Sequence, residues 1–70
     1  MLNERLKLIR KSLNKTQRDI ANYLEITERS YQNYEYGNRE PNNTTIIKLC
    51  TYFNVSSDYL LGLSDNPERR

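Results

Sequence analysis

Seventy residues make one domain, and a chain this short buries only about 60% of its unfolded surface, so its core must be economical. Hydrophobic residues at 36% and charged residues at 29%, with two Gly and two Pro, exclude a disordered chain, and charges at positions 4, 5, 7, 10, 11, 15 and 18 leave no apolar run for a signal peptide or membrane span. A cytoplasmic protein is expected, and one cysteine, Cys50, agrees with a reducing compartment and excludes an internal disulfide framework.

With no histidine, no Gly-rich phosphate loop and no ligand cluster, the sequence argues against an enzyme, a bound metal or any cofactor. The net charge of +2 says little by itself, but its distribution is uneven: Arg5, Lys7, Arg10, Lys11, Lys15 and Arg18 face only Glu4, a local charge of +5. On charge alone, a solvated helix face explains that run.

The first helix is expected to start after Asn3 as cap and to run to about Leu13, with Leu6, Ile9 and Leu13 on one face and Asn14 and Lys15 as the connection. At 100° per residue Arg10 falls about 40° from Leu6, inside the apolar stripe, where a guanidinium should not sit unpaired. The second helix begins at Thr16, with Asp19 placing a carboxylate in its positive first turn and Ile20, Ala21 and Leu24 facing inward. Gln17 and Arg18 lie in that first turn, where free backbone donors make a natural phosphate site.

Only Glu25, Ile26 and Thr27 remain for a turn before a second cap signal at Thr27, from which Tyr31 and Tyr34 mark one buried side of a helix that stops at Gly37. Two helices joined this closely must cross steeply, the geometry of a helix-turn-helix whose second helix enters the DNA major groove. Angles measured from Tyr31 turn Arg29, Gln32, Asn33 and Tyr36 outward and set Glu35 about 40° from Tyr31, inward. Arg10 and Glu35 are two charges on apolar stripes that can answer one another. The spacing equally allows both to snorkel to solvent.

The outward face carries the groups that base reading needs: Arg for guanine, Asn or Gln for adenine, and Glu28 for cytosine N4 unless it serves as a capping charge. Past Gly37, Asn38, Arg39 and Asn42 offer phosphate contacts, as does the exposed Tyr36, while Glu40 weakens the patch. Pro41 and the Asn pair open a fourth helix with Ile46, Ile47, Leu49, Cys50 and Phe53 as its inner face, ended by Asn54. Ser56 caps a short fifth helix carrying Tyr59, Leu60 and Leu61, with Gly62 as its stop. Tyr23 is expected to join Tyr31 and Tyr34 in the core. The boundaries are a domain over residues 1–63 and a polar, loose tail over 64–70.

Thr16-Gln17, Ile20-Ala21, Ser30, Glu35 and Gly37, followed by Pro41, IIKLC and FNVSSDYLLG, resemble the DNA-binding domain of phage repressors and Cro proteins over roughly residues 3–63. The resemblance implies an all-α fold of five short helices of the lambda-repressor-like type, an Arg10–Glu35 pair, and a DNA-backbone role for Gln17. It also implies base contacts from positions 28, 29 and 33. One departure is Glu25, where the family usually has Gly. If that turn position is left-handed, a Cβ there costs on the order of 1 kcal/mol.

The expected function is sequence-specific binding of double-stranded DNA by a transcriptional regulator of repressor type, with no small-molecule ligand. A homodimer is expected on an inverted-repeat operator with half-sites about 10 base pairs apart, joined through Val55, Tyr59 and Leu63. The alternative is an antitoxin-like or adapter module that binds protein. Leu8 and the Val55, Tyr59, Leu63 region are its candidate surfaces, small for a stable hetero-interface.

Overall fold

The structure, a computed structural model, describes residues 2–68. Five helices follow in order: α1 (Leu2–Ser12), α2 (Gln17–Leu24), α3 (Glu28–Tyr36), α4 (Asn43–Phe53) and α5 (Ser57–Leu60). No strand occurs among the described residues.

Short helices need their ends satisfied, and α2 to α5 each open on a side-chain cap. Thr16 Oγ1 accepts from the Asp19 amide at 3.0 Å while an Asp19 carboxylate oxygen accepts from the Thr16 amide at 2.9 Å, a reciprocal capping box. The bond from the Thr16 backbone, then that with its side chain, holds the Asp19 carboxyl below its ordinary range. Thr27 accepts from the Ser30 amide at 3.1 Å, Asn42 from Thr45 at 2.8 Å and Ser56 from Tyr59 at 3.1 Å.

All five helices end in the same way. An amide two or three residues past the helix bonds back to a carbonyl five residues earlier: Lys15 to Arg10, Ile26 to Ala21, Asn38 to Asn33, Val55 to Cys50 and Leu63 to Asp58, at 2.8–3.1 Å. That closure requires a left-handed residue, supplied by Asn14, Glu25, Gly37, Asn54 and Gly62, with φ between 56° and 80°. Gly adopts this conformation freely and Asn at little cost, whereas Glu25 adopts it against the steric cost of its Cβ. Glu25→Gly is therefore expected to stabilise the fold by about 1 kcal/mol, raising the melting temperature by roughly 4–8 °C in a domain this size. An unchanged or lower midpoint in thermal denaturation would show that the turn carries no such strain. At Gly37 the demand is double, because a Cβ would lie 3.2 Å from the Asn3 side-chain amide on α1.

Leu6 and Ile9 of α1, Ile20, Ala21 and Leu24 of α2, Tyr31 of α3, Leu49, Cys50 and Phe53 of α4, Val55, and Leu60 of α5 form one core. The helix-turn-helix pair sits between α1 on one side and α4 on the other. Four expectations are corrected. Helix α1 begins at Leu2, so Asn3 lies inside it and packs against Gly37 instead of capping it. Leu13 follows the end of α1 and is 45% exposed, because the apolar stripe outruns the helices it packs on. Ile47 is 64% exposed, lying about 160° around α4 from the fully buried Leu49. Tyr23 is 41% exposed and stacks on Tyr52, ring centroids 4.6 Å apart, at the rim of the core.

Residues 64–68 fold back onto the start of α5. The Ser56 amide donates to the Pro67 carbonyl at 3.1 Å, the Ser56 hydroxyl to the Asn66 carbonyl at 3.4 Å, and Arg5 lies 3.6 Å from Asp65. The rest of the expected tail, residues 69–70, lies outside the described residues. Among the described residues no helix is long and apolar enough to cross a membrane, and no three His, Cys, Asp or Glu gather as metal ligands.

Candidate nucleic-acid interface

Helix α3 is fixed to the core by two residues, Tyr31 at 0% exposure and Glu35 at 5%. Arg10 reaches Glu35 from α1 with two parallel bonds, Nε to Oε2 at 2.6 Å and Nη2 to Oε1 at 3.1 Å, and its third nitrogen donates to the Lys15 carbonyl at 3.0 Å. Burial opposes the charge on Glu35. Hydrogen bonds from Arg10 and Gln17, with the neighbouring Tyr31 hydroxyl adding to them, together outweigh it and hold the carboxyl below the usual carboxylate range.

The hydrogen bond to Glu35 raises the Arg10 pKa in turn. Burial, and then Glu35, push the Tyr31 hydroxyl well above its ordinary range. That hydroxyl feels the charges of Glu35 and Arg10, and it is the one buried side-chain polar atom without a hydrogen-bond partner among the described residues.

From this buried pair a chain of hydrogen bonds runs outward. The Gln17 amide nitrogen donates to Glu35 Oε1 at 3.2 Å, and the Gln32 amide nitrogen donates to Gln17 Oε1 at 3.2 Å. One position further out, Arg18 meets Glu28 at 3.4 Å, Arg18 exposed and Glu28 half-buried. The start of α2 is thus tied side by side to the start and middle of α3. Sequence reasoning singles out Gln17, Gln32, Arg18 and Glu28 one at a time but misses these links, since they depend on how the two helices cross.

On the face of α3 turned from the core, Arg29 and Tyr36 are exposed, while Gln32, Asn33 and Glu28 are half-buried. Arg18, Asn38, Arg39 and Asn42 are exposed around this face and Gln17 is half-buried. The Asn33 carbonyl collects the Gly37, Asn38 and Arg39 amides, which pins the start of the loop to α3 and sets where Asn38 and Arg39 begin. The Asn42 side-chain oxygen is used as the α4 cap, leaving its amide nitrogen as the group to offer a partner.

Of the three residues expected to join two subunits, Val55 is only 7% exposed, closed into the core after α4, and has little surface to give. Tyr59 is half-buried under the Arg5 guanidinium, 4.3 Å from its ring centroid. Leu63 is 73% exposed.

This arrangement of a capped helix, a three-residue turn and a second helix with a polar outer face coincides with a family description, "Helix-turn-helix domain", which matches residues 3–65. The chain belongs to the helix-turn-helix family. Its relatives include the HTH-type transcriptional regulator ImmR of Bacillus subtilis, 43% identical over 87% of this chain and 48% of the relative. Another is the cryptic phage CTXphi transcriptional repressor RstR of Vibrio cholerae, 36% identical over 87% of this chain and 54% of the relative. The helix-turn-helix chain therefore spans about half the length of these relatives.

Among solved structures it is similar to a transcriptional regulator from Listeria innocua, with a TM-score of 0.85 and 31% identity over 89% of this chain and 58% of that one. It is also similar to the P22 c2 repressor in complex with a synthetic operator, with a TM-score of 0.83 and 25% identity over 91% of this chain and 97% of that one. The five-helix architecture of this helix-turn-helix domain is that of repressor DNA-binding domains.

Proposed function

We propose that this helix-turn-helix domain binds double-stranded DNA with sequence specificity, α3 lying in the major groove, as the DNA-binding part of a cytoplasmic transcriptional repressor. The observation that carries the reading is the outer face of α3, where Arg29, Gln32 and Asn33 offer base-edge donors and acceptors between flanking backbone-contact groups. Glu28, held toward Arg18, can accept from a cytosine amine. Gln17 and Arg18 at the start of α2, with Tyr36, Asn38, Arg39 and Asn42 at the far end of α3, meet phosphates on either side. The P22 c2 repressor, similar over nearly its whole solved chain, is a protein seen with an operator.

A homodimer on two inverted half-sites about 10 base pairs apart belongs to the same proposal, because one helix reads too few bases for regulatory specificity. The exposed Leu63 is the apolar surface that supports it, with the half-buried Tyr59 and the buried Val55 as the other residues of the proposed seam.

Selection of bound sequences from a random duplex pool tests both levels. Enriched sites with inverted symmetry and a two-to-one complex in sedimentation are expected. Failure to enrich any sequence overturns the DNA-binding reading, and enriched sites without symmetry on a one-to-one complex overturn the dimer.

A further inference from the structure

Helix α1 packs on α3 along one side and on α5 along another. Arg10 turns toward α3, where it meets Glu35, and Arg5 turns toward α5, where its guanidinium lies over the Tyr59 ring while it pairs with Asp65. At 100° per residue the two arginines stand about 140° apart across the core-facing side, and the arc that remains on the far side carries Lys7, Lys11, Glu4 and Leu8, all exposed. Leu8 is the odd member. Polar residues are what a solvated helix face needs, whereas Leu8 keeps 57% of its surface in water and borders a groove of about 450 Å³ that Glu4, Arg5 and Gly62 complete.

The charges around that leucine do not cancel. Lys7 and Lys11 stand about 100° and 60° from it around α1, and neither takes part in an ion pair among the described residues. Arg5 is balanced by Asp65, so Glu4 is the one carboxylate on the arc against two unbalanced cations. The surface is apolar at one point and positive beside it.

We propose that this arc of α1 is a docking surface for an acidic protein segment, which sets an apolar side chain in the groove beside Leu8 and carboxylates against Lys7 and Lys11. Leu8 lies about 160° around α1 from Arg10, so it faces away from α3, and a partner held there leaves the outer face of α3 open. The proposal does not depend on what α3 binds. A second copy of the chain fits the arc less well, because an isologous contact sets a patch against itself and would bring Lys7 and Lys11 against the same two lysines. A nucleic-acid backbone would match the lysines but not the leucine beside them.

Selection from a displayed library of random peptides against the whole chain is the test, followed by binding of the enriched peptides in synthetic form. Enriched peptides should join one large apolar residue to neighbouring Asp or Glu, and their binding should weaken as salt rises. Leu8→Ser should weaken it about tenfold, and Lys7→Glu combined with Lys11→Glu should do the same and remove most of the salt dependence. Ile47→Ser, which changes an apolar residue of α4 that is 64% exposed, should leave it unchanged. If Leu8→Ser lowers the melting midpoint, Leu8→Gln repeats the measurement.

Peptides without acidic residues, or peptides whose affinity survives Leu8→Ser, overturn the proposal. So does a library that yields no binder. Self-association that is lost in Leu8→Ser would assign the arc to a second copy, and unrelated duplex DNA bound less well only by the double lysine variant would assign it to nucleic acid. Either result, with no peptide bound through Leu8, overturns the acidic partner.

Discussion

Glu35→Ala should lower the stability of the domain by about 3 kcal/mol, whereas Glu28→Ala should change it by less than about 0.5 kcal/mol. Both substitutions remove a glutamate of α3 that meets an arginine, and the difference lies in the surroundings. The side chains of Arg10 and Glu35 are 12% and 1% exposed, so removing the carboxylate strands a guanidinium that has little water to turn to, and takes the anchor from Gln17. The side chains of Arg18 and Glu28 are 76% and 40% exposed at 3.4 Å, and water replaces either partner. At roughly 4–8 °C per kcal/mol for a domain of this size, the melting midpoint of Glu35→Ala should fall by about 15 °C. Equal midpoints for the two variants would sink the idea that α3 is held by a buried pair.

The same pair sets an acid limit. The folded-state pKa of Glu35 is depressed below its ordinary value of 4.5, so its contribution is fully present above that pH and is lost as pH falls through the lower folded value. Urea denaturation at a series of pH values should therefore show the gap between wild type and Glu35→Ala closing in acid. A gap that stays constant down to about pH 2 would mean that the carboxylate charge contributes nothing.

Much of the fold is legible in the sequence, and the reason is locality. Thr16, Thr27, Asn42 and Ser56 act on amides three residues away, so each cap can be read from its own neighbourhood. Arg10 and Glu35 are legible because a charge on an apolar stripe calls for a partner. Periodicity tells which side of a helix is apolar but not how far along it the neighbouring helix reaches, which is why Leu13 reads as inside and lies at the surface. On α4, five apolar residues span more of the circumference than the core can cover, and Ile47 is the one left out. The Gln17–Gln32 bond is not legible at all. It joins residues 15 positions apart through the crossing of α2 and α3, which no single-helix pattern contains.

Arg29→Ala and Arg39→Ala each remove one exposed positive charge, yet they should act on different parts of the binding free energy. Arg29 stands on the outer face of α3 one turn before Asn33. If it bridges guanine O6 and N7, its loss should cost about 1–3 kcal/mol on the selected site and flatten the preference at one position in each half-site. Binding to unrelated duplex should fall much less. Arg39 sits past the end of α3, its amide tied to the Asn33 carbonyl at 3.3 Å, so with α3 in the groove as proposed its side chain would fall to one side of it. Meeting a phosphate there, it should contribute to every sequence alike, and Arg39→Ala should lower the salt dependence of binding by about one counterion for each phosphate the guanidinium neutralises. Titration of the selected site, its single-base variants and an unrelated duplex at several salt concentrations separates the two. An Arg29→Ala protein that keeps its base preference at every position would remove Arg29 from the recognition surface, and a salt slope unchanged in Arg39→Ala would remove Arg39 from the groups that meet the DNA backbone.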